Sequence, residues 1–317
     1  MPLWWAASGD CVVAPRALRS DAAALGSRFG LDGEIADDPS GHTPEPWGWS
    51  ADAVRQFRLA GVDADRLPAD AVIARYRKLS HRRSSITVLK ALGLDEQLPV
   101  ELTDPDEAVA MHRRHPGCYM KSPWSSSGRG VAPLAGLTDE AVRDKAAGII
   151  HRQGSVMMER GVDRLLDFAA LFRSDGERVR FEGFSVFRTE PRGMYQGNLV
   201  APQKCLEAMI GNLYPLHLLI MTIVRLEDIL ADLTRGYCGC MGVDMMIGRS
   251  SAGGNTLYPC VELNLRRTMG FTAMAVQRRL QLDTPRLLSW QRTGATSPAS
   301  LPLLPPHEVF TLTLSQI

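Results

Sequence analysis

One lysine beside a run of small residues, and three oxygen-bearing side chains far downstream, carry most of the chemical information in this chain. Residues 119–131 read Tyr-Met-Lys-Ser-Pro-Trp-Ser-Ser-Ser-Gly-Arg-Gly-Val. Lys121 thus ends a strand-like run and precedes a loop in which Ser125, Ser126, Ser127, Gly128 and Gly130 have small side chains or none. In such a loop backbone N–H groups can close on phosphate oxygens, and glycine supplies the positive φ that the turn needs. Lysine would act there as a mobile point charge on the α- and β-phosphates. Downstream, Asp244 interrupts the apolar run Gly-Val-Asp-Met-Met-Ile (242–247), and Val-Glu-Leu-Asn-Leu (261–265) places Glu262 and Asn264 two apart, on one face of a strand. A carboxylate inside an apolar strand is costly unless paired or metal-bound. Two acids and an amide on adjacent strands suit Mg²⁺, which binds through a few carboxylates and the phosphates of its substrate. A lysine loop and a magnesium cup together make an ATP–Mg²⁺ site. Arg266 and Arg267 follow in a turn that reaches Gly270, and they could grip a γ-phosphate or a substrate carboxylate in bidentate fashion.

Further candidates surround these. Glu159 ends the run Val-Met-Met-Glu, whose Met157 and Met158 are soft enough for an adenine slot. Asp167 starts the next strand and could accept from ribose hydroxyls. Arg82 and Arg83, in Ser-His-Arg-Arg-Ser-Ser, could reach an α-phosphate. Each has a plainer reading: a surface loop with a solvated lysine, solvent-facing acids on an edge hairpin, core methionines, a solvated arginine pair. The lysine precedes its loop, unlike the Walker pattern, and the dinucleotide fingerprint GxGxxG is absent. No nucleophile with a base partner stands out, and the 7 histidines are scattered. The substrate side is expected from Phe-Arg-Thr-Glu-Pro-Arg-Gly-Met-Tyr-Gln-Gly-Asn, with Arg188, Arg192, Tyr195 and Asn198 as candidates. Trp47 and Trp49 in Pro-Trp-Gly-Trp-Ser (46–50) either wall the site or pack their loop onto the domain.

The elements that must position these groups follow from periodicity and punctuation. Residues 1–78 read as a first α/β unit, with strand-type runs at Leu-Trp-Trp-Ala-Ala and Asp-Cys-Val-Val-Ala-Pro, a helix ending at Gly30, and Ser50 capping a helix stopped by Gly61. Residues 79–160 read as a second unit: a helix over 84–92, a strand near Leu-Pro-Val-Glu-Leu, a helix capped by Asp104, the lysine strand, a helix capped by Thr138, and the Val-Met-Met-Glu strand. Residues 161–317 read as a third unit. There, two β runs join across Ser-Asp-Gly, a third run at 193–200 extends that sheet, a helix-rich segment covers 203–234, and the metal-cup strands form a second hairpin. The tail, 284–317, carries a last alternating run and no chemical signal.

The whole chain has 317 residues, 45% hydrophobic and 22% charged, which suits a soluble globular enzyme of two or three subdomains. A net charge of +1 argues against nucleic acid as partner. The 6 cysteines lack CxxC spacing and read as free thiols of a reducing compartment. No signal peptide is read at the start, and the apolar stretch 213–224 is too short to span a bilayer and reads as a buried helix. A cytoplasmic location without membrane contact is expected.

Over roughly residues 80–275 the chain resembles the ATP-grasp superfamily, which includes D-alanine–D-alanine ligase, glutathione synthetase and biotin carboxylase. The resemblance rests on the lid strand with Lys121 and its Ser/Gly loop, the hinge strand ending at Glu159, Asp167 at the usual ribose position, the Gly-Val-Asp strand and the Glu-x-Asn-x-Arg strand with Glu262, Asn264 and Arg266. The family's first basic ATP contact is commonly lysine, where arginine stands here. The resemblance implies an α+β ATP-grasp fold, two subdomains gripping ATP, preceded by a small α/β domain. It implies ATP and Mg²⁺ as cofactors, with Arg82, Arg83, Lys121, Ser125–Ser127, Gly128, Met158, Glu159 and Asp167 on the nucleotide, Asp244, Glu262 and Asn264 on the metal, and Lys121, Arg266 and Arg267 assisting the transfer. The implied reaction activates a carboxylate, of a small molecule or peptide, as an acylphosphate for attack by an amine. The alternatives are an ATP-grasp kinase and a catalytically silent nucleotide-binding protein. The assembly is left open, a homodimer included.

Overall fold

Helix caps and glycine stops divide the chain into short, well-punctuated elements. The computed structural model describes residues 1–36, 38–125, 128–190, 194–250, 253–292, 300–304 and 310–316. In the first stretch β1 (Cys11–Val12), α1 (Arg19–Phe29), β2 (Glu34–Ile35), α2 (Ala51–Leu59) and α3 (Asp70–Leu79) follow one another, with β1 and β2 parallel. Gly30 ends α1 in the left-handed region, and the Ser50 hydroxyl caps α2 by accepting from the Ala53 N–H. The expected strand at Leu3–Ala7 is absent: Pro2–Trp4 is a single 3₁₀ turn. Tertiary burial overrides local strand preference there. Trp4 is enclosed with Val276, Leu288 and Leu312, and its indole N–H donates to the Leu303 carbonyl at 3.0 Å.

Helix α4 (Ser84–Leu92) stops at Gly93 and buries Val88, Leu89 and Leu92. The small sheet then assembles from β3 (Val100–Leu102), β4 (Tyr119–Lys121), β5 (Val131–Pro133) and β6 (Val156–Glu159), in the order β3-β6-β4-β5, all antiparallel. Helices α5 (Pro105–Arg114) and α6 (Asp139–Gln153) lie on it, capped by Asp104 and Thr138 as their sequences predict. Met120, Val156 and Met158 face Val109, Val142 and Ala146 in a core that draws only on residues 102–158.

The remainder builds the large sheet. Its elements are β7 (Asp163–Asp175), β8 (Val179–Thr189), β9 (Tyr195–Val200), α7 (Gln203–Gly211), α8 (Leu216–Leu233), β10 (Cys238–Arg249), β11 (Asn255–Asn264), α9 (Met269–Leu280), β12 (Arg286–Arg292), β13 (Leu301–Pro302) and β14 (Phe310–Ser315). The strand order is β11-β10-β7-β8-β9-β12-β14-β13. Period-2 alternation gives the sheet two different faces. Phe168, Ala170, Val186 and Val243 pack on Leu219, Ile223, Leu226 and Leu230 of α8, whereas Ala169 and Leu171 meet Phe271 and Met274 of α9. Only one stripe of α8 is buried; Leu218, Ile220, Met221 and Val224 on its other side are exposed, so the stretch read as a buried helix is amphipathic in place. Among the described residues no single helix is long and apolar enough to cross a membrane. All six cysteines are free thiols.

Candidate active site

The face of the large sheet that α9 leaves uncovered meets the small sheet across a cleft of about 1070 Å³. Strand β4 delivers Lys121 to this cleft. Its ammonium is almost fully buried and pairs with the carboxylate of Glu159 at the end of the neighbouring strand β6. The following loop folds back at once: the Ser122 N–H donates to Gly130 O at 2.8 Å, and Gly128 adopts φ +75. A Cβ at position 130 would stand 2.4 Å from the Ser125 Cβ, so glycine is required. Ser126 and Ser127 lie outside the described residues; Ser125 and Gly128 line the cleft. Trp124 anchors the loop, its indole N–H donating to Arg77 O at 2.9 Å and its ring edge-on to His81.

Arg82 enters from the turn before α4 and ties this loop to the large sheet. Its guanidinium pairs with Glu262 at 2.8 Å and donates to Ser122 O and Ser125 Oγ, each at 3.0 Å. Across the β10–β11 hairpin Asp244 stands directly opposite Glu262, and Asn264, two residues on, shares their face. Enclosure by protein, reinforced by Glu262, pushes the Asp244 carboxyl well above the usual carboxylate range; Arg266, a hydrogen bond from Asn264, and Arg82 oppose the shift. Two facing carboxylates and an amide oxygen are hard donors, and here Arg82 and Arg266 are their protein partners. This set suits Mg²⁺, which takes its remaining ligands from substrate phosphates and water. Among the described residues no trio of His, Cys, Asp or Glu gathers into a self-sufficient metal cage.

Asp167 also lines the cleft. It accepts from Thr189 Oγ1 at 2.7 Å and pairs with Arg164 at 3.1 Å; burial pushes its carboxyl up, and those two groups and Lys121 hold it back. Tyr195 and Asn198 line the cleft together: the tyrosine hydroxyl donates to the Asn198 side-chain oxygen, and the Asn198 amide donates to the buried Ser185 hydroxyl at 2.7 Å. Arg266 points into the cleft, donating to Asn264 Oδ1 at 3.0 Å and Arg267 O at 3.2 Å, with Asp244 close enough to feel its charge.

Four candidates stand elsewhere. Met158 faces the core of the small sheet; period-2 alternation puts it opposite Glu159, and Met157 shares Glu159's side. Arg83 is exposed at the surface and pairs with Glu101. Arg188 is exposed, on the sheet face opposite Phe187 and Thr189, which do line the cleft. Arg267 is buried away from the cleft: it pairs with Glu45, and its guanidinium lies 4.6 Å from the Trp5 ring centroid and 5.7 Å from that of Phe271. Arg192 lies outside the described residues. Ser185, Thr189 and Thr268 line the cleft without having been singled out from sequence. For Ser185 and Thr189 the signal was available, since both share a face with Phe187 on a strand beside Asp167.

Neither a protein-family model nor a curated protein sequence matches the chain. Solved structures do. The N5-carboxyaminoimidazole synthase of Aspergillus clavatus, in complex with ADP and 5-aminoimidazole ribonucleotide, superposes with a TM-score of 0.54 over 99% of this chain and 95% of that one, at 12% identity. A biotin carboxylase from Campylobacter jejuni, in complex with a β,γ-ATP compound, gives 0.57 over 96% and 80% of the two chains, at 8% identity. The biotin carboxylase domain of the 2-oxoglutarate carboxylase of Hydrogenobacter thermophilus, with MgADP, ADP and bicarbonate, gives 0.52 over 94% and 73%, at 10% identity.

Proposed function

We propose that this chain, which has the ATP-grasp fold, is an ATP- and Mg²⁺-dependent ligase that activates a carboxylate as an acylphosphate for attack by an amine. The observation that carries the reading is the convergence of Lys121, Arg82, Asp244, Glu262 and Asn264 on one cleft, from stretches of chain far apart in sequence. Phosphoryl transfer is mainly positioning and charge neutralisation. Asp244, Glu262 and Asn264 would hold Mg²⁺, which supplies Lewis-acid neutralisation of the β- and γ-phosphates. Lys121 and the backbone of the Ser/Gly loop would bind the phosphates, Arg82 would hold that loop over them, and Asp167 would accept from the ribose hydroxyls. Arg266, whose hydrogen-bond acceptors are neutral, would orient the substrate carboxylate for in-line attack on the γ-phosphate. The small sheet and its loop would exclude water, which otherwise hydrolyses an acylphosphate. That the similar structures carry ADP, MgADP or an ATP compound supports the nucleotide part of this reading.

Hydroxylamine tests the reaction, because it traps an acylphosphate as a hydroxamate whatever the natural amine. Hydroxamate and ADP should form together from Mg²⁺, ATP and a panel of carboxylic acids. Lys121→Ala and Glu262→Gln should each lower turnover by about 10²–10³. A stable phosphorylated product without hydroxamate would replace the ligase reading with a kinase. Full turnover in either variant would overturn the site.

A further inference from the structure

We infer that the acid accepted by this cleft carries an aromatic group, with its carboxylate on Arg266 and its ring against Trp47 and Trp290; the inference rests on the ligase reading above. Away from the phosphate-binding loop, the cleft is closed by the end of β8, the strands β9 and β12, the start of α9 and the loop around Trp47. Phe187, Tyr195, Met269, Trp47 and Trp290 present their apolar surfaces there. Arg266 can meet an anion there directly, while the carboxylate of Asp167, beside the end of β8, is already engaged by Thr189 and Arg164.

The two tryptophans arrive by different routes. Leu288 of β12 is in register with Asn198, and Trp290, two residues on, keeps to the same sheet face. It remains 43% exposed, a large apolar surface on the wall of a cleft rather than on a convex exterior. Trp47 is fixed from three sides. Its carbonyl accepts from the Arg267 N–H at 2.7 Å, its ring lies 5.8 Å from that of Trp5, and the next residue, Gly48, sits so close to Arg266 that an added Cβ would be 2.7 Å from the arginine Cβ. Trp47 is therefore held beside Arg266. A pre-ordered indole loses little freedom on binding, and ring-on-ring contact adds to the burial gain. Tyr195 donates its hydroxyl to Asn198 and so offers its ring.

Binding can be read without knowing the amine. The full chain, with Mg²⁺ and a non-hydrolysable ATP analogue, is titrated by calorimetry and ligand-observed NMR with 3-phenylpropionate and indole-3-acetate, against hexanoate and glutarate. The aryl acids should bind about tenfold more tightly or better. Trp290→Ala should remove that preference and Trp290→Phe should restore it, with nucleotide affinity unchanged in both. Trp47→Ala should act in the same sense. Equal affinity for hexanoate and 3-phenylpropionate, no binding of any acid, or an intact aryl preference in both alanine variants would overturn the inference. Aryl acids captured by a chain that fails to bind the nucleotide would instead sink the ligase reading and leave the aromatic site standing.

Discussion

Arg82 is the residue on which the two halves of the candidate site meet. Only 5% of it is exposed, yet its donors are met: Glu262 by one nitrogen, Ser122 O and Ser125 Oγ by the others, and its own N–H by Pro123 O at 3.1 Å. A planar fork is needed for that set, which a lysine cannot reproduce. Removing it leaves Glu262 in a mostly enclosed position facing Asp244 with one less cation. Arg82→Ala should therefore lower stability by about 3 kcal/mol in urea denaturation, the usual cost of breaking such a pair from one side. Millimolar Mg²⁺ should recover more of the stability of Arg82→Ala than it adds to the wild type, because the added cation stands in for the lost one. Equal gains from Mg²⁺ in the two proteins would count against a metal site at Asp244 and Glu262. Lys121 makes a parallel case. Its side chain is 9% and that of its partner Glu159 23% exposed, so Lys121→Ala should also cost about 3 kcal/mol, as well as lowering turnover; denaturation and hydroxamate assays on the same preparation separate the two effects.

Among the elements, the loop from Glu45 to Trp49 does more than its composition suggests. Glu45 pairs with both Arg267 and Arg173, so it fastens the loop to the turn after β11 and to β7. Glu45→Ala would leave a guanidinium that is 4% exposed without its ionic partner and should cost about 1–3 kcal/mol. Gly48→Ala should displace the loop from Arg266, since the new methyl would meet a Cβ rather than a yielding chain end. The expected result is a raised KM for the acid with nucleotide affinity unchanged, measured by paired titrations. Little of this was legible beforehand, because a loop held by Arg267 from 222 positions away has no local signature. What was legible was local: Asp104 and Thr138 as caps, Gly30 and Gly93 as stops, and the hairpin that sets Asp244 opposite Glu262. Met158 and Arg188 lay within reach of the same reasoning. Period-2 alternation assigns them the faces opposite Glu159 and Phe187, and residue type alone had drawn attention to them. Leu3–Ala7 and Arg267 were not within reach, since burial against distant helices and strands decides both.

At the scale of the molecule the small sheet keeps its own apolar core, drawn from residues 102–158, while its loop is tied by Arg82 to Glu262 of the large sheet and by Trp124 to Arg77 of α3 and to His81. A body joined in that way can shift against its neighbour without surrendering much buried apolar surface. Nucleotide would then act as the mortar: phosphates between Lys121 on one sheet and the Asp244–Glu262 hairpin on the other add contacts that neither sheet makes alone. Mass action gives about 2.7 kcal/mol at a hundredfold excess over Kd, which corresponds to a rise in melting temperature of about 4 °C for a chain of this size. The gain should also be local. Amide exchange should slow in residues 119–125 and along β10 and β11 on addition of Mg²⁺ and a non-hydrolysable ATP analogue, and stay unchanged in β1 and β2, which contribute nothing to the cleft. Uniform slowing over the whole chain would mean that nucleotide stabilises the fold as one block. Slowing confined to the small sheet would mean that the phosphates never reach the carboxylates, and the two halves of the site would then serve different ligands.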